Sequence, residues 1–194
     1  MTASGHARES ATAMDELRRA GGTTPSQTVG PFFAIELPYA EGPYVVPDGT
    51  GGAIWLRGRV FDGAGDPIPD ALVETWQAAP DGSFDREFRG FGRSGTDEEG
   101  GWAILTLKPG AVPAPDGGAQ APHVALTIFA RGLLQHVFTR LYFDDEADAN
   151  AADAVLSSLP DDAARATLIA GREDGGYRLD IHLQGPDETV FFAV

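Results

Sequence analysis

The sequence predicts a mainly β fold: a β-sandwich of mostly antiparallel strands, with one or two short helices and long loops. Three observations predict it. Stretches rich in β-branched, aliphatic and aromatic residues recur at short spacing from Ile54 onward. Turn residues separate them, in Asp62-Gly63-Ala64-Gly65-Asp66-Pro67, Asp81-Gly82, Glu99-Gly100-Gly101 and Pro109-Gly110. One segment alone carries a convincing helical pattern: Asp161 to Ala170, where Pro160 precedes and Ala164, Leu168 and Ile169 share a face. Glycine supplies positive φ and proline fixes φ, so these clusters punctuate short strands as a sandwich requires.

The elements follow in order. Residues 1–22 read as a flexible N-terminal tail, in which Ser10 to Ala20 places Met14 and Leu17 on one side of a short helix. Residues 23–194 read as one sandwich domain, with residues 23–53 as its N-terminal lead-in. Ile54 to Phe61 is the first strand, and Ala71 to Ala78, which alternates, is the next. Trp102 to Leu107 ends at Pro109-Gly110. Val124 to Phe129 and His136 to Phe143 pair across Gly132. Tyr177 to Leu183 and Thr189 to Phe192 complete the set. Asn150 to Leu156 holds a turn or two of helix. Gly49 to Gly52 and Pro113 to Gly118 are loops rather than linkers, because no second core lies beyond them.

A length of 194 residues suits one domain with a sizeable core. The 14 basic and 29 acidic residues give a net charge of −15, which repels phosphate backbones and anionic membranes. Nucleic-acid and membrane partners are therefore not expected. Without cysteine, disulfides, thiolate ligands and a cysteine nucleophile are excluded. Met1 to Ala13 lacks an apolar signal-peptide core, and no apolar run approaches the roughly 20 residues that span a bilayer. A cytoplasmic protein is expected.

No self-sufficient catalytic set emerges from motifs. His6, His123, His136 and His182 lack the spacing of a helical zinc pair or a zinc finger. His6 falls in the tail. His136 and His182 fall in strands, where a hydrogen-bonded structural role is expected. Asp144-Asp145-Glu146 lacks EF-hand spacing and reads as a solvated turn ending a strand. Gly49-Thr50-Gly51-Gly52 is followed by neither Lys-Ser nor Lys-Thr, and no Gly-x-Ser-x-Gly elbow exists. On these residues alone the chain is an acidic soluble β-sandwich, and a non-catalytic binding module stays open.

Several blocks, taken in order from Thr24 to Val194, say more. They are Thr24-Pro25-Ser26-Gln27-Thr28-Val29-Gly30-Pro31-Phe32, Gly58-Arg59-Val60-Phe61-Asp62-Gly63 and Val73-Glu74-Thr75-Trp76-Gln77-Ala78. Phe91-Gly92-Arg93, Lys108-Pro109-Gly110, Phe129-Ala130-Arg131-Gly132 and Thr139-Arg140-Leu141-Tyr142-Phe143-Asp144-Asp145-Glu146 follow. Arg178-Leu179-Asp180-Ile181 and Glu188-Thr189-Val190-Phe191-Phe192 close the series. In this set the chain resembles the intradiol ring-cleaving dioxygenases, and among them the alpha-type subunits that pair with an iron-bearing beta subunit.

The resemblance implies a ferric site of two tyrosines and two histidines in catalytic subunits. Those positions are Phe84, Val112, His123 and Ala125 here. Only His123 survives, so no metal ligand and no catalytic residue is expected in this chain. Fe(III) is expected on the partner beta subunit, with alpha–beta pairs forming a larger assembly. The resemblance also implies that Thr28, Gly30, Pro31, Phe32 and Arg131 line the substrate pocket. Arg131 would offer a charge to the carboxylate of protocatechuate. Phe32 stands where the family often has tyrosine, so no hydroxyl is available there. The implied reaction adds both atoms of O2 to protocatechuate and gives 3-carboxy-cis,cis-muconate. A self-sufficient catechol or hydroxyquinol enzyme is the alternative within the family, and Phe84 and Val112 argue against it.

Overall fold

The computed structural model describes residues 27–28, 30, 32–84, 87–114 and 117–193. The tail 1–22, its Ser10–Ala20 helix, His6 and Pro31 lie outside the described residues. Among the described residues eleven strands form: β1 (Ala53–Phe61), β2 (Leu72–Gln77), β3 (Phe91–Gly95), β4 (Gly101–Leu107), β5 (Val112–Pro113), β6 (Ala119–Gln120), β7 (His123–Phe129), β8 (Val137–Phe143), β9 (Ile169–Glu173), β10 (Gly176–Arg178) and β11 (Ile181–His182). Four short helices accompany them among the described residues: α1 (Phe32–Glu36), α2 (Ala147–Ala152), α3 (Ala154–Ser157) and α4 (Asp162–Ala166).

One sheet runs β11-β1-β10-β9-β8-β7-β2-β3, with β4 on the remaining edge of β1. The main-chain N–H of Ala103 in β4 donates to the Ser94 hydroxyl of β3 at 3.2 Å, drawing the ends of the path together. The sheet thus nearly closes into a barrel-like sandwich. Most pairs are antiparallel, while β1–β10, β1–β11 and β8–β9 are parallel. Strand β7 shows why the core forms. Val124, Leu126 and Ile128 point inward and are fully buried, and His123, Ala125, Thr127 and Phe129 take the other face. Burying such an aliphatic side chain contributes about 1.5–3 kcal/mol.

Four expectations are corrected. The helix starting at Asp161 stops at Ala166, and Ile169-Ala170 instead pair in parallel with Tyr142-Phe143. The main-chain N–H of Tyr142 bonds the Leu168 carbonyl, so the apolar residues that suggested a helix serve the sheet and a small second core. Tyr177 to Leu183 divides into two strands, and the Asp180 carboxylate takes the Arg59 main-chain N–H at the break. Thr189 to Phe192 contributes a single bridge, Phe138 to Phe192, rather than a strand. His136 lies just outside β8, exposed, with its ring 5.3 Å from Phe129.

His182 does lie in a strand, where its ring stacks on Phe61 at 4.9 Å. The acidic turn is also more engaged than expected. Lys108 meets Asp145 at 2.8 Å and Glu146 at 2.7 Å, and the Tyr177 hydroxyl donates to Asp145 at 2.8 Å. Two glycines fix the neighbouring loops. Gly82 has φ +81°, and a Cβ there would stand 2.1 Å from the Ala111 carbonyl oxygen. Gly110 faces back, where a Cβ would meet the Pro80 oxygen at 2.5 Å. Only hydrogens fit between these backbones. The contact holds the loop leading to Phe84 against the loop leading to Val112.

Candidate functional site

Two regions hold the residues that the sequence singled out. The first is the turn between β7 and β8. The Gly132 main-chain N–H donates to the Thr28 hydroxyl at 2.8 Å, so the lead-in segment lies beside Arg131. The Arg131 side chain is 63% exposed, and its Nε lies 3.2 Å from Asp70 Oδ2. Gly30 is exposed, with nothing within 4 Å of where a Cβ would stand. Phe32, 71% exposed, opens α1. A cavity of about 470 Å3 lies next to Arg131, lined in part by Phe129, Leu133, Leu134, His136 and Phe192. Thr28 and the Arg131 turn are thus joined by a hydrogen bond, whereas Gly30 and Phe32 follow as exposed chain.

The second region is the outer face of β7 around His123. Its ring Nδ1 lies 2.7 Å from the Ala121 carbonyl oxygen, and its ring tilts on Tyr142 at 5.5 Å. A carbonyl can only accept, so Nδ1 carries the proton. Burial pushes the imidazole below its ordinary 6.5, against the opposing pull of the Ala121 carbonyl, and the Arg140 charge lowers it further. Burial likewise pushes the Tyr142 phenol up to about 12. Tyr142 therefore stays protonated and donates to Asp153 Oδ1 at 3.3 Å, while accepting from Arg140 Nη1 at 3.2 Å. Asp153 is fully buried and also takes the main-chain N–H groups of Ala121, Val155 and Leu156. It caps α3 and ties β8 to the segment entering β7.

The depressed imidazole makes a pH prediction. Between 6.5 and the lower folded value, the unfolded chain binds a proton at His123 and the native chain does not. Native stability should therefore fall as pH drops below 6.5, and His123→Phe should flatten that part of the profile. Urea midpoints from pH 7.5 to 5 check this; an unchanged slope in the variant would count against it.

The donor set does not fit ferric iron. Fe(III) asks for anionic oxygen donors beside its nitrogens. Phe84 is an exposed benzyl group, Val112 a buried isopropyl group in β5 and Ala125 a methyl group; none can ligate. His123 offers one imidazole, and the nearby Tyr142 phenol is protonated and committed to Asp153. Sequence reasoning passed over Arg140, Gln120 and Asp153. Their role depends on strand register, which sets Arg140 opposite Ala125. The alternation in Thr139-Arg140-Leu141-Tyr142 was the one signal that Arg140 and Tyr142 share a face.

Comparison with known proteins places this geometry. The Dioxygenase_C family, described as dioxygenase, matches residues 28–185. A protocatechuate 3,4-dioxygenase alpha chain from Burkholderia cepacia is 42% identical, over 88% of this chain and 97% of its own length. The beta chain from the same organism is 35% identical, over 72% of this chain and 67% of its own. Among solved structures, the dioxygenase domain of a carbohydrate-binding fusion from Streptomyces sp. SirexAA-E superposes with TM-score 0.58 at 25% identity, covering 84% of this chain and 99% of that one. A sandwich of this topology, the ordered motifs and these relatives agree: the chain belongs to the intradiol ring-cleaving dioxygenase family.

Proposed function

We propose that this chain is the alpha, non-iron-binding subunit of a protocatechuate 3,4-dioxygenase, working with a beta subunit that carries Fe(III). The observation that carries the reading is the pairing of 42% identity to an alpha chain with side chains at the ligand positions that cannot hold iron. Separate alpha and beta relatives support an alpha–beta pair. The self-sufficient reading is disfavoured by the same ligand positions. Among the described residues no helix is long and apolar enough to cross a membrane. A cytoplasmic setting and a larger assembly of alpha–beta pairs belong to the same proposal.

In this reading the partner's iron supplies the oxygen chemistry, and this chain supplies pocket wall and charge. Thr28, Gly30, Pro31, Phe32 and Arg131 line the substrate pocket. Arg131 would exchange Asp70 for the carboxylate of protocatechuate. Solvent reaches the Arg131 side of that pair, which screens its attraction to half-buried Asp70 and eases the exchange. Gly30 lets another molecule approach the backbone closely, and exposed Phe32 gives the pocket edge an apolar surface. Protocatechuate and O2 are the substrates, and 3-carboxy-cis,cis-muconate is the product.

Iron content and visible absorption test the assignment. The chain purified alone is expected to be colourless and iron-free, and its co-expression with an iron-bearing beta subunit is expected to give a coloured, active complex. A coloured, iron-loaded chain on its own would overturn the reading.

A further inference from the structure

Three strands set one small residue between two large ones on the outer face of the sheet. Ala125 of β7 stands opposite Trp76 of β2 and opposite Arg140 of β8. Residues paired across adjacent strands share a face, and strands lie about 4.8 Å apart, so Trp76 and Arg140 stand roughly 10 Å apart with a methyl group between them. His123, two residues before Ala125, shares the face. By side-chain size this face dips at Ala125, leaving a hollow with a methyl floor between a 51% exposed indole and a guanidinium.

That guanidinium is held firmly and used incompletely. Arg140 Nη1 donates to Gln120 Oε1 at 2.8 Å and to the Tyr142 hydroxyl at 3.2 Å. Tyr142 and Asp153, both fully buried, anchor it from beneath. Its Nε and Nη2 have no acceptor among the described residues, and no carboxylate there lies within 4.0 Å. The other half-buried arginines, Arg57, Arg93 and Arg165, each meet one. Arg59 and Arg89 also lack a carboxylate within 4.0 Å among the described residues, but both are exposed, so Arg140 is the half-buried exception in a chain of net charge −15. Nε and Nη2 form the edge that takes a carboxylate in two parallel hydrogen bonds.

We propose that this hollow binds a small aromatic carboxylate, its carboxylate forked on Arg140 and its ring over Ala125 against Trp76. The site shares no residue with the pocket edge at Arg131. A fixed guanidinium supplies the charge, and an exposed indole supplies a flat apolar wall. Ala125 keeps the floor low enough for a ring to lie there.

Titration of the full-length chain with benzoate, followed by tryptophan fluorescence and ligand-observed NMR, tests the proposal. One saturable site is expected. Arg140→Gln should weaken it about tenfold or more, the scale of a charge-assisted hydrogen-bonded pair. Ala125→Leu, which alters no hydrogen bond and fills the hollow, should abolish binding, while Arg131→Ala should leave it intact. Acetate, with no ring to place against Trp76, should bind much more weakly. Absence of saturable binding, indifference to both Arg140→Gln and Ala125→Leu, loss in Arg131→Ala, or equal affinity for acetate would each overturn it. Because Arg131→Ala reports on the pocket edge and Ala125→Leu on the hollow, failure here is distinguishable from failure of the subunit assignment.

Discussion

Replacing Arg131 with alanine is expected to lower protocatechuate turnover by the assembled enzyme about tenfold to hundredfold, the scale of a lost charge-assisted hydrogen-bonded pair. Iron content should not change, because in this reading the partner beta subunit, not this chain, holds the iron. The two readouts separate pocket from metal. Chain stability should move little, since the Arg131 side chain is 63% exposed and solvent screens its pair with half-buried Asp70. Arg131→Lys should recover only part of the loss, because an ammonium cannot fork a carboxylate as a guanidinium does. Turnover per iron equal to the unaltered complex would remove Arg131 from the pocket.

The largest effect on stability is expected at Asp153. Its carboxylate is fully buried and serves four donors: the main-chain N–H groups of Ala121 at 2.9 Å, Val155 at 2.9 Å and Leu156 at 3.1 Å, and the Tyr142 hydroxyl at 3.3 Å. Asp153→Ala strands several of them away from water. Each unsatisfied buried donor costs about 1–3 kcal/mol, so a loss of about 3 kcal/mol or more is expected. The urea midpoint should fall with little change in slope. A loss below about 1 kcal/mol would show that water or local rearrangement replaces the carboxylate. Because Asp153 supports Tyr142, and Tyr142 supports Arg140, the variant should also loosen the outer face of β7 and β8.

The strands that read clearly in the sequence are those whose own residues alternate or cluster, such as Ile54 to Phe61 and Val124 to Phe129. Strand β9 was hidden because Leu168 and Ile169 also satisfy a helical face. Ile169 and Ala170 pair with Tyr142 and Phe143, on a strand well separated in sequence, and local pattern carries no record of that pairing. Strand β3 was hidden for another reason. Phe91-Gly92-Arg93-Ser94-Gly95 has weak strand propensity, and a Cβ at Gly92 would stand 2.7 Å from the Thr75 hydroxyl, so close packing selects glycine there. At the candidate site, that Phe84, Val112 and Ala125 cannot ligate a metal is legible in the sequence, because residue type alone decides it. Arg140 is not, because its meaning comes from standing beside Ala125 across a strand pair.

The parallel pairing of β1 has a consequence for biosynthesis. Trp55 pairs with Gly176 and Val60 with Ile181, so one edge of the first long strand waits for a segment about 120 residues further along the chain to leave the ribosome. Until then β1 can pair with β4, but its other edge presents unsatisfied N–H and C=O groups. Pairings so distant along the chain form slowly and leave apolar surface open to wrong partners. A nascent chain halted before Gly176 should therefore be more prone to aggregate than to persist as a smaller folded unit, and chaperone demand should fall once residues 176–182 have emerged.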